Sequence, residues 1–379
     1  FLTNSQKINR FDHKEILDVM DLCLSCKGCK SECPSNVDMA KLKAEFLQHY
    51  YDANGIPFRS TLIANFNSSS RIGAIAPGIY NFVMTNPGIS KLVKRFSGFA
   101  IERSMPTLFK TTLRSWYKTH QSTTGKANTF VHSDQERKSV YLFCDEFTNF
   151  NDTEIGIKAI LLLEKLGYEV IIPEHIESGR AWLSKGFVRQ AKKIANKNIR
   201  LLHGLVTNET PLIGIEPSAI LSFRDEYVDL AAEEQLTAAK QLAANVFLVD
   251  EFIAREISKG NITREQFTKE KKLVKLHGHC QQKALSSVDP SVQLLSLPEN
   301  YKVEVIPSGC CGMAGSFGYE KEHYDLSMQI GELVLFPAVR QQAEDTIIAA
   351  PGTSCRHQIK DGTGRKALHT IEVLYEALA

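Results

Sequence analysis

The sequence predicts an α/β protein in three parts: a helical, cysteine-bearing segment, then two duplicated α/β halves built on mostly parallel sheets. Three observations predict it. Cys23, Cys26, Cys29 and Cys33 form a tight run closed by Pro34. Beyond residue 136, short apolar runs that end in turn residues alternate with helix-like stretches, the pattern of a parallel sheet with crossover helices. Two pairs of those runs also recur at one offset. Val170 to Pro173 answers Val305 to Pro307, Leu212 to Pro217 answers Thr346 to Pro351, and both pairs of prolines are 134 residues apart.

The first part spans residues 1–135. Its spacing, C-x2-C-x2-C-x3-C-P, is that of ferredoxin-type [4Fe-4S] ligands, because two-residue gaps let a tight loop aim three sulfurs at one centre. In two-cluster ferredoxins the fourth cysteine of such a run ligates the other cluster. Cys23, Cys26 and Cys29 are therefore the safest ligands, and Cys33 is assigned to a cluster whose other cysteines lie upstream. The chain starts at Phe1, which fits a fragment. Helices flank the run: residues 15–22 lead in, and Asp38 caps a helix through Met39, Leu42, Phe46 and Leu47. Residues 71–110, broken by Pro77, Pro87 and Pro106, read as short helices. Residues 121–136 read as a polar linker.

The first half covers residues 136–265 and the second 266–379. Each runs strand, helix, strand, helix, strand, with helices expected at 183–202 and 322–342. Ligands of such sheets gather at the carboxyl ends of strands. The second half places Cys280, Cys310, Cys311 and Cys355 after three strand ends, with Gly309 and Gly312 freeing the backbone around the pair. Four thiols suit a metal or a second iron–sulfur cluster, and zinc also accepts such a set. Buried structural thiols and thiol–disulfide chemistry are the competing readings. In the first half Cys144 is matched to Cys280 and reads as a core thiol; Ala219 falls near the position of Cys355. His277, His279 and His357 neighbour these cysteines and are assigned to packing or support rather than ligation.

With 379 residues, 43% hydrophobic and a net charge of +2, the chain is long enough for two or three domains, and nothing in its charge points to nucleic acid. No apolar run approaches a membrane span. The clustered cysteines suit reduced, metal-ligating thiolates in the cytoplasm rather than a secreted disulfide scaffold. Lys91, Lys94, Arg95 and Arg103, set among Leu92, Val93, Phe96 and Phe99, allow a peripheral contact with the inner membrane face; an ordinary amphipathic helix is the simpler reading.

Taken together, residues 22–34, Ser308 to Gly318 around Cys310-Cys311-Gly312, and Gly352 to Gln358 around Cys355 resemble the cysteine-rich CCG iron–sulfur proteins. These include the glycolate oxidase iron–sulfur subunit, the anaerobic glycerol-3-phosphate dehydrogenase small subunit and heterodisulfide reductase. The likeness is stronger to the C-terminal iron–sulfur region of large FAD-linked oxidases similar to D-lactate and D-2-hydroxyglutarate dehydrogenases. It implies an oxidoreductase component that passes electrons from a flavin domain, with FAD and substrate upstream, to a quinone, cytochrome or other carrier. It implies no catalytic residue within the chain. Lys27, Lys30 and the Gly28 backbone are near enough in sequence to tune a cluster. Gln358 stands where heterodisulfide reductase closes a C-x-x-C, which counts against the alternative of a disulfide-reducing thiol module. A zinc-stabilised interaction scaffold is the third reading.

Overall fold

The structure, a computed structural model, describes residues 3, 5–127 and 138–379. Among them, strands β1 (Lys138–Phe143), β2 (Tyr168–Ile171), β3 (Leu212–Gly214) and β4 (Val246–Leu248) form one sheet, ordered β2-β1-β3-β4. Strands β5 (Lys272–Leu276), β6 (Tyr301–Val305) and β7 (Ile347–Ala349) form a second, ordered β6-β5-β7. All pairings are parallel. The shared order shows the duplication directly, since β1, β2 and β3 occupy the places of β5, β6 and β7. Strand β4 is an addition to the first half; three residues are too few for a period-two pattern to announce it.

The two sheets share one apolar core. Val140 and Leu142 of β1, Val274 and Leu276 of β5, and Ile160, Leu163, Ile371 and Leu374 of the intervening helices belong to a single buried cluster. Helix Thr153–Lys165 packs on helix Thr370–Glu376, and Lys158 ties the pair by reaching Glu372 at 3.4 Å and Glu376 at 3.2 Å.

Two expected helices are each divided. The 183–202 stretch becomes Arg180–Ser184 and Val188–Leu202, hinged at Gly186 with φ 78°. A Cβ on Gly186 would lie 2.3 Å from that of Leu47, so the glycine also lets helix Met39–Asn54 approach. The 322–342 stretch becomes Tyr324–Leu333 and Leu335–Arg340. Pro337 cannot donate to the carbonyl of Leu333 and crowds it, which breaks the helix there. In the N-terminal part, Pro77 and Pro87 each open a helix, Pro77–Thr85 and Pro87–Ser97. Helix Leu113–Ala127 runs into the segment expected to be a linker; residues 128–136 of that segment lie outside the described residues.

The expected basic patch is only partly a surface. Arg103 is 0% exposed, and the Lys94 ammonium is buried against the carbonyls of Ile101, at 3.1 Å, and Arg103. Arg103 donates to Gly318 O at 2.6 Å and Ser327 Oγ at 2.8 Å, and it pairs with Asp361 at 3.3 Å. It thereby ties the helical part to the loop that follows Cys310-Cys311. Removing one partner of such a buried set leaves the others unpaired. Arg103→Ala is therefore expected to cost about 3 kcal/mol or more in denaturant unfolding, and a change under about 0.5 kcal/mol, the level of an ordinary surface substitution, would contradict this role.

Candidate functional site

Three elements of the second half converge. Cys280 opens helix Cys280–Leu285, whose N-cap His279 accepts the Gln281 N–H through Nδ1 at 3.2 Å. Cys310 and Cys311 lie in the loop after β6, and Cys355 lies in the first turn of helix Thr353–Thr363. Gly312 takes φ 92°, and a Cβ there would come within 2.2 Å of Ser327 O. Its N–H donates to Cys310 Sγ at 3.3 Å. Gly352 is equally confined, because a Cβ would meet the His279 ring at 2.3 Å.

The four thiols form a relay of neighbours: Cys280 with Cys310, Cys310 with Cys311, and Cys311 with Cys355. The Cys310 thiol and burial both push the Cys280 pKa up. At Cys310 and Cys311 one hydrogen bond favours the thiolate, but the other bond, burial and neighbouring sulfurs outweigh it. At Cys355 the bond with Cys311 favours the thiolate, and burial and crowding prevail. Charge suppressed at four adjacent sulfurs is released when a cation binds among them.

His277, expected in a supporting role, adds a further candidate ligand. One of its ring nitrogens and the sulfurs of Cys311 and Cys355 all lie within 4.8 Å of one another. Its Nδ1 pairs with Ser308 Oγ at 2.7 Å, and its buried Nε2 has no partner among the described residues. Burial lowers its pKa to about 3, which holds it in the neutral form that binds metals. The donor set of thiolates and a neutral imidazole thus fits an iron–sulfur centre or a metal ion. His279 is occupied as a helix cap, and His357 Nδ1 pairs with the Tyr319 hydroxyl at 3.2 Å.

The N-terminal run lies against this group. Helix Gly28–Glu32, which carries Cys29, packs on helix Cys280–Leu285. At Cys26, burial raises the pKa, the Gly28 N–H lowers it, and the sulfurs of Cys280, Cys23 and Cys29 raise it further. The two cysteine sets are therefore near enough to feel each other's charge. Ser25 and Lys27, on either side of Cys26, take φ 54° and 63°, a left-handed turn that non-glycine residues adopt at a cost. Amide donors support the sulfurs: Ser25 N–H reaches Cys23 at 3.5 Å and Met39 N–H reaches Cys29 at 3.3 Å. Cys33 is held differently, with its pKa lowered by the backbone N–H groups of Val37, Ser35 and Asn36.

Buried charge fixes that costly loop in place. The Lys27 ammonium, 1% exposed overall, meets Asp38 at 2.9 Å, Asp225 at 2.6 Å and Glu226 at 3.1 Å. Lys30 reaches Asp225 at 2.6 Å, Lys41 bridges Asp225 and Asp229, and Arg180 closes on Glu226. Burial would raise the Asp225 pKa, but Lys27, Lys30 and Lys41 hold it far below the usual carboxylate range. Lys27 and Lys30 are near enough in sequence to tune a cluster, and the structure commits their ammonium groups to these carboxylates. On the other flank, Lys43 Nζ donates to Cys23 O at 2.8 Å. Glu320 gathers Arg59 at 3.0 Å, Lys185, and His323 at 3.6 Å, and His323 pairs with Asp21 at 2.9 Å.

The first half supports the site through carboxylates. Glu216 caps helix Pro217–Ile220, accepts the Thr353 N–H at the start of the Cys355 helix at 2.9 Å, and lies 3.9 Å from His279. Asp145 caps helix Glu146–Phe150 as His279 caps the Cys280 helix. These caps keep the 134-residue offset, which pairs Glu146 with Cys280 and Cys144 with Gly278. The expected match of Cys144 to Cys280 is therefore corrected. Cys144 is a core residue, its pKa pushed up to about 12 by burial. Glu146 accepts from the Ser178 hydroxyl at 2.6 Å and the Ser178 N–H at 2.9 Å.

No protein-family model matches the chain. It is similar to D-2-hydroxyglutarate dehydrogenase of Escherichia coli K12, 28% identical over 371 residues, which are 97% of this chain and 35% of that protein. It is also similar to one subunit of the anaerobic glycerol-3-phosphate dehydrogenase of the same organism, 23% identical over 331 residues, 87% of this chain and 79% of the relative. Lactate utilization protein A of Bacillus licheniformis is 28% identical over 247 residues, 62% of this chain and 98% of that one. The chain spans about a third of the length of the D-2-hydroxyglutarate dehydrogenases it matches, the coverage being 35%.

The Glu320–His323 contact gives a pH signature. Burial opposes the charge of each, but Asp21 and Glu320 raise His323 to about 9, and His323, Lys185 and Arg59 lower Glu320 to about 2. The Glu320 contribution to stability is complete above about pH 4.5 and is lost as pH falls toward 2; the His323 contribution is complete below about 6.5 and is lost as pH rises through 9. Thermal unfolding followed from pH 5 to 10 should show an alkaline decline that is shallower in His323→Gln. An identical decline in the variant would contradict the assignment.

Proposed function

We propose that this chain is the electron-relay portion of an FAD-linked 2-hydroxy acid dehydrogenase, taking electrons from a flavin domain and passing them to a quinone or another carrier. The observation that carries the reading is the packing of Cys26 and its neighbours against Cys280, which brings two thiol sets from opposite ends of the chain to one place. The relatives named as dehydrogenases support the same class. FAD and substrate are assigned to sequence outside this chain. Among the described residues, no helix is long and apolar enough to cross a membrane.

Bound among these thiolates, iron–sulfur centres supply one-electron steps between a two-electron donor and an acceptor. Cys23, Cys26 and Cys29 would hold one, and Cys280, Cys310, Cys311 and Cys355, with His277, a second. Cys33 is assigned to a further cluster completed from outside the chain. The protein's own part is to aim the sulfurs, donate amide hydrogen bonds to them and exclude water. Cys311 and Cys355 are 2% and 1% exposed, whereas Cys280 and Cys310 are half-buried, so the inner side of this second site is shielded from bulk solvent. Gln358, where a disulfide-reducing relative would place a cysteine, is buried and donates to Ser327 O at 2.9 Å. It acts as a packing amide and disfavours the thiol–disulfide reading.

A zinc site is the second reading, favoured by the set of His277, Cys311 and Cys355, since zinc takes mixed nitrogen and sulfur ligands. Metal analysis separates the two. After anaerobic reconstitution, iron and sulfide should be retained with a visible absorption band and an electron paramagnetic resonance signal on reduction. Cys26→Ser should abolish the N-terminal signal, and Cys311→Ser should remove the second while sparing the first. A colourless protein holding zinc and no iron would overturn the relay.

A further inference from the structure

Two ammonium groups stand beside the thiol sets without a carboxylate of their own. Lys43, in helix Met39–Asn54, is 8% exposed. Its Nζ donates to Cys23 O at 2.8 Å and Asp21 O at 3.4 Å. Among the described residues, no carboxylate oxygen lies within 4.0 Å of it. The acids that act on it, Asp21 and Glu320, are engaged elsewhere: Asp21 pairs with His323, and Glu320 with Arg59, Lys185 and His323. Lys27, by contrast, meets three carboxylates.

A buried charge held by carbonyl dipoles alone is costly. Burial and the Lys185 charge disfavour the Lys43 ammonium, and Cys23 is the first group that favours it, ahead of Asp21 and Glu320. A metal-bound Cys23 stays ionised. A loaded centre therefore supplies a permanent counter-charge where the ammonium lacks one.

The second thiol set has a similar neighbour. Lys283 lies one helical turn after Cys280, and its Nζ donates to Ser308 O at 2.6 Å and Gly309 O at 3.1 Å. It too has no carboxylate oxygen within 4.0 Å among the described residues. The Cys310 thiol and burial push the Cys280 thiol up, whereas the Gln281 N–H and the Lys283 charge favour its thiolate. Lys283 is only half-buried, so solvent weakens its field more than that of Lys43.

We propose that Lys43 and Lys283 are the counter-charges of the two iron–sulfur centres and set their reduction potentials, Lys43 acting on the N-terminal centre and Lys283, more weakly, on the second. This rests on the relay reading above. Each centre takes one electron from the reduced flavin domain, with no bond made or broken, and becomes more negative by one charge. A fixed ammonium beside it stabilises that state and raises the potential. Lys27, though it stands within the cysteine run, is neutralised by its carboxylates and contributes little.

Potentiometric titration of the anaerobically reconstituted chain, followed by electron paramagnetic resonance, tests this without turnover. Lys43→Met keeps the apolar stem and removes the charge. It should make the N-terminal centre at least tenfold harder to reduce, 59 mV for a one-electron step, and shift the second centre less. Lys283→Met should show the opposite selectivity and a smaller shift. Lys43→Arg should hold the N-terminal reduction equilibrium within about threefold of the parent chain, which separates charge from packing. A shift below threefold in Lys43→Met with iron retained, or an equal shift in Lys43→Arg, overturns the proposal. If Lys43→Met fails to hold iron, Lys43→Gln, which keeps a donor for Cys23 O, is read by the same limits. Iron lost from both neutral variants but kept by Lys43→Arg supports the counter-charge role; iron lost from all three makes Lys43 a packing residue and overturns it. A parent chain without iron refutes the relay reading instead, and iron at potentials indifferent to both lysines refutes this inference alone.

Discussion

The rest of the site depends on one buried ammonium group. Lys27 stands between two cysteines of the N-terminal run in a left-handed conformation, and its charge is fully withdrawn from water. Such a charge is tolerable only when paired. Asp38, from the helix that follows the run, and Asp225 and Glu226, from the first α/β half, supply that pairing. The loop therefore cannot take its shape unless both neighbours are in place. The same contact that satisfies the lysine carries Cys26 to Cys280.

This gives the first half a purpose that its lack of cysteines obscures. The duplicated halves present strand ends to the same region, but with different chemistry. The second half supplies thiols; the first supplies carboxylates that hold the thiol-bearing elements. Asp225 and Glu226 grip the N-terminal run, and Glu216 caps the start of the Cys355 helix. The common core of the two sheets fixes one set of strand ends relative to the other. The two halves thus differ in role, one bearing the thiols and the other holding the elements that carry them.

Much of the fold is legible in the sequence because its signals are local or periodic. The 134-residue offset becomes the shared strand order, and Asp38 caps its helix through Ala40 and Lys41 N–H groups at 3.0 and 3.2 Å. The features that stay hidden are long-range. Nothing near Lys27 in sequence announces a carboxylate 198 residues away. Arg103 and Lys94 look like surface cations in a basic stretch, yet both are buried by contacts that only the assembled chain provides. Cys144 looks like the counterpart of Cys280 because each follows an apolar run, whereas the helix caps show the true offset. His277 becomes a candidate ligand only once β5 ends at Leu276 and its ring meets Cys311 and Cys355. That the four cysteines of the second half gather in one place is legible in advance, because each follows the end of a strand in the same sheet.

The central claim is that two separate iron-bearing thiolate sets are held side by side by this charge network. Crystals grown anaerobically from reconstituted protein, with anomalous diffraction recorded at the iron and zinc edges, test it most directly. The account predicts iron density bonded to Cys26 and, beside Cys280, a second iron peak bonded to Cys311 and Cys355, with Lys27 paired to Asp225. Zinc alone at either place, or iron at the N-terminal run far from Cys280, would contradict it.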